Sequence, residues 1–443
     1  MDGDISSPQR RPTASTWPYL AGKTPDGIYL AGKTPYGSAF NLTTMSRRPL
    51  HVVLLPPEEL AGPLAAALDG TGPAIAPLDL ALPAARLRLL IRELAPDAVH
   101  TTDGIRPATG DGSPRPGAAP GTAVVIVTSG STGRPKGVEL TAAALRHSAR
   151  ASLDRIGARP GERWLCCLPV SHVAGIQVLV RSLLGGTPPV VTDRVDPAVV
   201  ASCGCAHVSL VPTQLRRLLA TGADLRAFRT ILLGGAGAPG RLLDEARQAG
   251  GRVITTYGMS ETCGGCVYDG MPLDGVRVAA GQDGVIRIAG PVLFSGYRLA
   301  PELTAAAVHG GWFTTADLGS VSATGRVSIR GRADDVINTG GEKVVGAEVA
   351  AVLETCTAVR EAAVVGRPDE VWGERVTAVV VPADPDSPPD LGMLRAHVRQ
   401  ALPAHAAPRE LVLLDELRLL PSGKPDLRAL RARPPGNLAG REQ

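Results

Sequence analysis

The sequence predicts an α/β protein: a large N-terminal domain of α/β layers, then a small α+β domain. Three observations carry that expectation. A chain of 443 residues suits one large domain plus one smaller one. After Met45, short apolar runs bounded by turn formers alternate with segments of helical spacing through most of the chain. From about residue 347 to 414 the alternation continues on a smaller scale, which suits a separate small α+β unit.

Composition narrows the classes further. Hydrophobic residues make up 44% and charged residues 20%, which suffices for ordinary cores. Aromatic residues are only 3%, so alanine, valine and leucine must do most of the packing. The formal charge is +4 without a long basic run, so nucleic acid is not an expected partner. No apolar stretch reaches membrane-spanning length, and the start lacks the basic and apolar pattern of a secretory signal. The expected location is the cytoplasm. Seven cysteines is an odd number for a disulfide framework. Cys203-x-Cys205-x-His207 and Cys263-Gly-Gly-Cys266 each lack a second ligand pair at zinc spacing, so reduced structural thiols are the reading.

Residues 1–44 hold a tandem copy, Tyr19-Leu-Ala-Gly-Lys-Thr-Pro25 and Tyr29-Leu-Ala-Gly-Lys-Thr-Pro35, with little to bury. They are expected to be disordered or to arise from a mis-called start, with Met45 near the true one. His51–Leu55 reads as a strand, Leu60–Leu68 as a helix, and 103–121 as a Gly- and Pro-rich linker. Val124–Val127 is a buried strand that runs into Thr128-Ser-Gly-Ser-Thr-Gly-Arg-Pro-Lys-Gly-Val138, and a helix is expected over 140–153. Gly130, Gly133 and Gly137 free the backbone to turn its N–H groups inward. Thr128, Ser129, Ser131 and Thr132 add hydroxyls and Lys136 a charge, a donor set that suits a polyphosphate. A P-loop NTPase needs Gly-Lys followed by Ser or Thr; here Gly137 follows Lys136 and the reading fails.

Leu165–Leu168 is a strand that ends at Pro169 and presents His172 on the turn. The helix expected over 176–184 is apolar except for Gln177, Arg181 and Ser182, and Ala174, Gln177 and Arg181 share one stripe. An arginine there either snorkels to water or clamps an anion. Residues 206–219 read as strand, turn and helix, and 231–239 as a strand running into a glycine turn. The small domain is expected to hold helix 347–353, strands 362–365 and 376–381, helix 391–401 and strand 410–414.

The loop at 128–138 resembles the phosphate loop of the adenylate-forming superfamily, which activates carboxylates with ATP as acyl adenylates and passes the acyl group to a thiol. Further segments follow in family order. Gly234-Gly235-Ala236 resembles the adenine wall. Thr256-Tyr257-Gly258-Met-Ser260-Glu261 resembles the Tyr-Gly-x-Thr-Glu motif, with Tyr257 stacked on adenine, Ser260 on phosphate and Glu261 holding Mg²⁺. Asp317 matches the ribose carboxylate, Arg332 the ribose/phosphate arginine and Asp334 the hinge. Lys424, in Pro421-Ser-Gly-Lys424, matches the C-terminal lysine that meets the carboxylate and α-phosphate. His172 is similar to the gate histidine of the Leu-Pro-x-x-His motif.

The resemblance covers residues 49–433. It implies the adenylate-forming fold with a shortened N-terminus, an ATP- and acid-binding domain over 45–333, a mobile lid over 334–433 and a tail from 434. ATP, Mg²⁺ and coenzyme A are the implied small molecules, and self-association is left open. Residues 206–219, Val180-Arg181 and 260–275 are similar to 2-succinylbenzoate–CoA ligases of menaquinone synthesis. That similarity implies an aliphatic carboxylate to be activated and an aromatic one held by Arg181 and Ser209, beside Gly235 and Gly265. Gly265 stands where some relatives present a hydroxyl, leaving that contact to water. A CoA ligase for benzoate-like or fatty acids, a non-catalytic binding relative and a carrier-protein adenylation domain are the competing readings.

Overall fold

The computed structural model describes residues 48–108, 115–129, 135–193, 195–420 and 424–432. The tandem copies, the tail from 434, and Gly130, Ser131, Thr132 and Gly133 with the side chain of Ser129 lie outside the described residues.

Most of the large unit is two seven-stranded sheets with helices between them. The first runs Gly296–Tyr297, Pro135–Thr141, Thr122–Ser129, Ala74–Pro77, Leu50–Leu54, Ala98–Thr101, Gly104–Pro107. The second runs Met271–Pro272, Gly264–Tyr268, Val253–Met259, Thr230–Leu233, His207–Leu210, Trp164–Cys166, Val190–Val191. Helices Ala142–Ile156 and Val173–Gly185 share one continuous core with both sheets, through Val124, Leu145, Ile176, Val180 and Val267. This explains the second helix's composition: every residue from Gly175 to Leu183 is buried, so most of them are apolar. Arg181 is only 5% exposed, so the snorkelling reading is overturned.

The loop expected to pass directly into a helix does not. Residues Pro135–Thr141 return as a strand antiparallel to Thr122–Ser129, with Thr128 opposite Lys136. The helix therefore starts later than expected, at Ala142. The Thr141 hydroxyl accepts from the Ala144 amide at its N-terminus, and Gly157 ends it in the left-handed conformation at φ 66°. The hairpin is anchored by Arg298, whose guanidinium lies buried 3.2 Å from Glu139 and also donates to the Ala95 carbonyl. Gly104–Pro107 forms a strand inside the segment read as a linker.

A five-stranded sheet over 277–332 completes the large unit, and a second one over 336–413 forms the smaller. In the latter, Val359–Asp369 and Gly373–Pro382 pair along nearly their whole length, longer than the apolar runs alone suggested. Helices Gly346–Leu353 and Leu391–Arg399 cover one face through Val349, Leu353, Leu394 and Val398. Between the two units runs the short turn Ala333–Asp335. Across the boundary Arg216 meets Glu361 at 2.9 Å, and Arg330 pairs with Glu348 through both carboxylate oxygens at 2.6 and 3.0 Å.

Candidate active site

Parallel strands place chemistry at their C-terminal ends, where the chain turns and backbone groups are left without ladder partners. In the second sheet, Ser209, the Gly234-Gly235-Ala236 turn and the segment Thr256-Tyr257-Gly258 come from adjacent strands paired in parallel. Gly234 cannot be replaced without moving its neighbour: a Cβ there would lie 2.3 Å from the Thr256 hydroxyl. Gly235 is left-handed at φ 84°. The result is a bare stretch of backbone, the surface on which a flat base can lie.

Gly258 is tighter still, since a Cβ would lie 2.0 Å from the Gly264 carbonyl oxygen. That close approach is where strand Val253–Met259 folds back antiparallel onto Gly264–Tyr268, opening the turn Ser260–Thr262 that carries Ser260 and Glu261. The hydroxyl of Thr262 closes the turn on the Met259 amide at 2.9 Å. Tyr297 donates to Oε1 of Glu261 at 2.9 Å, and the Lys136 ammonium stands 5.1 Å from the centre of the same ring. One phenol thus joins the phosphate hairpin to the acidic turn. Glu261, joined through Tyr297 to the hairpin that carries Lys136, has the hard oxygen ligand a Mg²⁺ ion takes.

Tyr257 donates to Oδ2 of Asp317 at 2.7 Å. Burial, with the Asp317 charge, raises the Tyr257 phenol well above its ordinary range, so it stays a donor. Asp317 is held from behind by its own amide on the Thr315 hydroxyl. It pairs across the sheet with Arg332, whose guanidinium lies 3.8 Å away and forks onto both oxygens of Asp334 at 2.8 Å each. Lys424 comes from the far end of the chain into the field of Arg332, Asp317 and Asp335. Its side chain reaches solvent, yet neighbouring protein thins the water around it. Burial first, then Arg332, lowers its pKa, with Asp317 and Asp335 opposing.

Tyr257, Asp317, Arg332, Asp334 and Lys424 are therefore brought together. Arg181 belongs to a second group, with Ser209. Its Nη1 donates to Ser152 at 3.1 Å and its Nη2 to Ser209 at 3.2 Å; Nε is buried without a partner. Tyr268 closes this group through Ser152 at 2.7 Å, and Gly265 packs against Tyr268 and Thr256 with a Cβ position 3.1 Å from each. Burial lowers the Arg181 pKa, with Tyr268 opposing. His172 is not brought to this group. It precedes the helix that carries Arg181, about 13 Å away along the axis. Tyr297, Tyr268, Ser152 and Trp164 were not singled out from sequence, because each meets its partner only across the fold.

Comparison with known proteins agrees with this geometry. The family model for the AMP-binding enzyme matches residues 83–298, and that for the AMP-binding enzyme C-terminal domain matches 348–424. A probable 2-succinylbenzoate–CoA ligase of Mycobacterium tuberculosis is 45% identical over 324 residues, 70% of this chain and 83% of that protein. The o-succinylbenzoate CoA synthetase MenE of Bacillus subtilis in complex with the acyl-adenylate intermediate OSB-AMP superposes with a TM-score of 0.74 at 27% identity. The match covers 88% of this chain and 90% of that one. The same enzyme with ATP and magnesium ion gives 0.73 at 27% identity, over 87% and 90%. The fold is that of the adenylate-forming enzymes, and the chain belongs to the AMP-binding enzyme family.

Proposed function

We propose that the protein joins 2-succinylbenzoate to coenzyme A, using ATP, in menaquinone synthesis. The observation that carries the choice of acid is Arg181. A buried guanidinium with an unpartnered Nε and only neutral hydroxyls on its other nitrogens is costly unless an anion completes it. An acid with two carboxylates supplies that anion with one and reacts through the other. A fatty acid or benzoate leaves Arg181 without a partner.

The reaction has two steps. The aliphatic carboxylate attacks the α-phosphorus of ATP, a P–O bond to pyrophosphate breaks, and the acyl adenylate forms. The thiol of coenzyme A then loses its proton and attacks the acyl carbon, and AMP leaves. In the first step Lys424 neutralises charge growing on the α-phosphate and carboxylate oxygens. Asp317 accepts from the ribose hydroxyls and Arg332 backs the ribose and phosphate. Thr128, Lys136 and Ser260 hold the phosphates, with Gly234, Gly235, Ala236 and Tyr257 around the base. Glu261 would hold Mg²⁺, which when bound offsets phosphate charge. His172 lines the way to the acyl pocket. For the second step the lid turns about Asp334 and withdraws Lys424.

Among the described residues no helix is long and apolar enough to cross a membrane, and all seven cysteines are free. Both support work in the cytoplasm. The test is pyrophosphate release with and without coenzyme A on 2-succinylbenzoate, benzoate and a medium-chain fatty acid. Turnover of succinylbenzoate with its CoA thioester as product supports the proposal; turnover confined to another acid removes the substrate and leaves the chemistry.

A further inference from the structure

An arginine built to receive a carboxylate faces a design problem. Without a partner in the resting protein it is expensive to bury, and with a resident carboxylate it has no charge left for the substrate. An aromatic face solves this, because it attracts the cation without neutralising it. Trp164 supplies such a face: the Arg181 guanidinium carbon lies 4.2 Å from the centre of its ring. Trp164 and His207 are opposite each other on paired strands, and their rings stand 4.9 Å apart, tilted by 34°. His207 is pinned in turn through Nε2 to Glu162 at 2.9 Å, and Arg229 grips both oxygens of that carboxylate at 2.6 and 2.7 Å. Glu162 is thus already paired, while burial lowers the His207 pKa against the pull of Glu162, keeping a second cation away from Arg181. Ser209, two residues beyond His207 on the same face, accepts the other side of the fork.

We propose that Trp164 is the specificity-positioning residue of this site, its braced indole holding Arg181 charged, uncancelled and aimed beside Ser209 for the second carboxylate of the acid. The inference rests on the reading of Arg181 given above. Trp164 itself touches no substrate and acts through the guanidinium.

A double-mutant cycle tests it, with Trp164→Leu, Trp164→Phe, Arg181→Met and the Leu/Met double variant. Each is assayed by pyrophosphate release on 2-succinylbenzoate and on 4-oxo-4-phenylbutanoate, which lacks the ring carboxylate. Trp164→Leu should raise KM for succinylbenzoate about tenfold (~1.4 kcal/mol) and leave KM for the single-carboxylate acid and for ATP within about twofold. Trp164→Phe should restore most of the loss. In the Arg181→Met background Trp164→Leu should add nothing. Losses that multiply in the double variant, or a Leu variant that weakens both acids equally, overturn the proposal. Should the leucine variant not fold, the phenylalanine variant carries the same comparison, with a rise of about threefold on succinylbenzoate alone. If Arg181→Met leaves the preference between the two acids unchanged, the reading of Arg181 fails instead, and the two failures are told apart.

Discussion

The hydroxyl of Tyr297 donates to the Glu261 carboxylate at 2.9 Å while its ring sits under the Lys136 ammonium. Tyr297 thereby sets the distance between a cation on the phosphate hairpin and the acid on the opposite turn. Tyr297→Phe keeps the ring and removes the hydrogen bond. The expected result is a tenfold or so fall in kcat/KM for ATP and a raised Mg²⁺ requirement. A Mg²⁺ titration of initial rates checks it; an unchanged half-saturating concentration would mean that the phenol does not orient Glu261.

Lys424 stands with its pKa lowered by burial and by Arg332. In the proposed role it acts as the cation, so lowering brings its loss of charge to a less alkaline pH. The adenylation rate should fall on the alkaline side earlier than a free lysine dictates. Lys424→Ala should cost about two to three orders of magnitude in pyrophosphate release, with transfer from preformed acyl adenylate to coenzyme A much less affected. Retention of pyrophosphate release by this variant refutes the role.

Glu354 lies at the boundary between the two units. Burial pushes it up to about 7 from the ordinary 4.5, against the Ala362 amide and Arg216, with Glu361 adding to the rise. Between those pH values the folded protein holds a proton that the unfolded chain has released. Stability should therefore decline as pH rises from 4.5 to about 7, and Glu354→Gln should flatten that slope. Thermal midpoints of both proteins across this range decide it; parallel curves would mean that Glu354 does not carry the effect.

Gly258 allows the only backbone path open here, because a side chain would meet the Gly264 carbonyl at 2.0 Å. Gly258→Ala should cost about 3 kcal/mol or more, or displace the turn that carries Glu261. Denaturant unfolding measures the first and ATP binding the second. A variant with wild-type stability and ATP affinity would show that the turn relaxes freely.

Much of this site could be read along the chain because each motif is local. Bare backbone at Gly234-Gly235, the Tyr257–Glu261 turn and the Arg332–Asp334 pair each sit within a few residues, whereas Asp317 meets Arg332 only across paired strands. What could not be read depends on contacts between distant segments. Tyr297 reaches Glu261 from another sheet, and Trp164 and Ser152 meet Arg181 only because helix Val173–Gly185 is buried between the layers. The return strand after the phosphate loop was missed for a related reason. Lys136-Gly137-Val138-Glu139-Leu140 has no strong alternation, and its pairing with Thr122–Ser129 and the Arg298–Glu139 ion pair determine its form. The arginine itself was legible as an anomaly in an apolar helix, and the fold resolved the anomaly as burial.

The central claim is that Arg181 recognises a second carboxylate. The measurement is the ratio of kcat/KM for 2-succinylbenzoate to that for 4-oxo-4-phenylbutanoate, in wild type and in Arg181→Met. The account predicts a ratio of about a hundred or more in wild type, falling to within a few fold of one in the variant while ATP affinity holds. A wild-type ratio near one, or a large ratio that survives Arg181→Met, would contradict it.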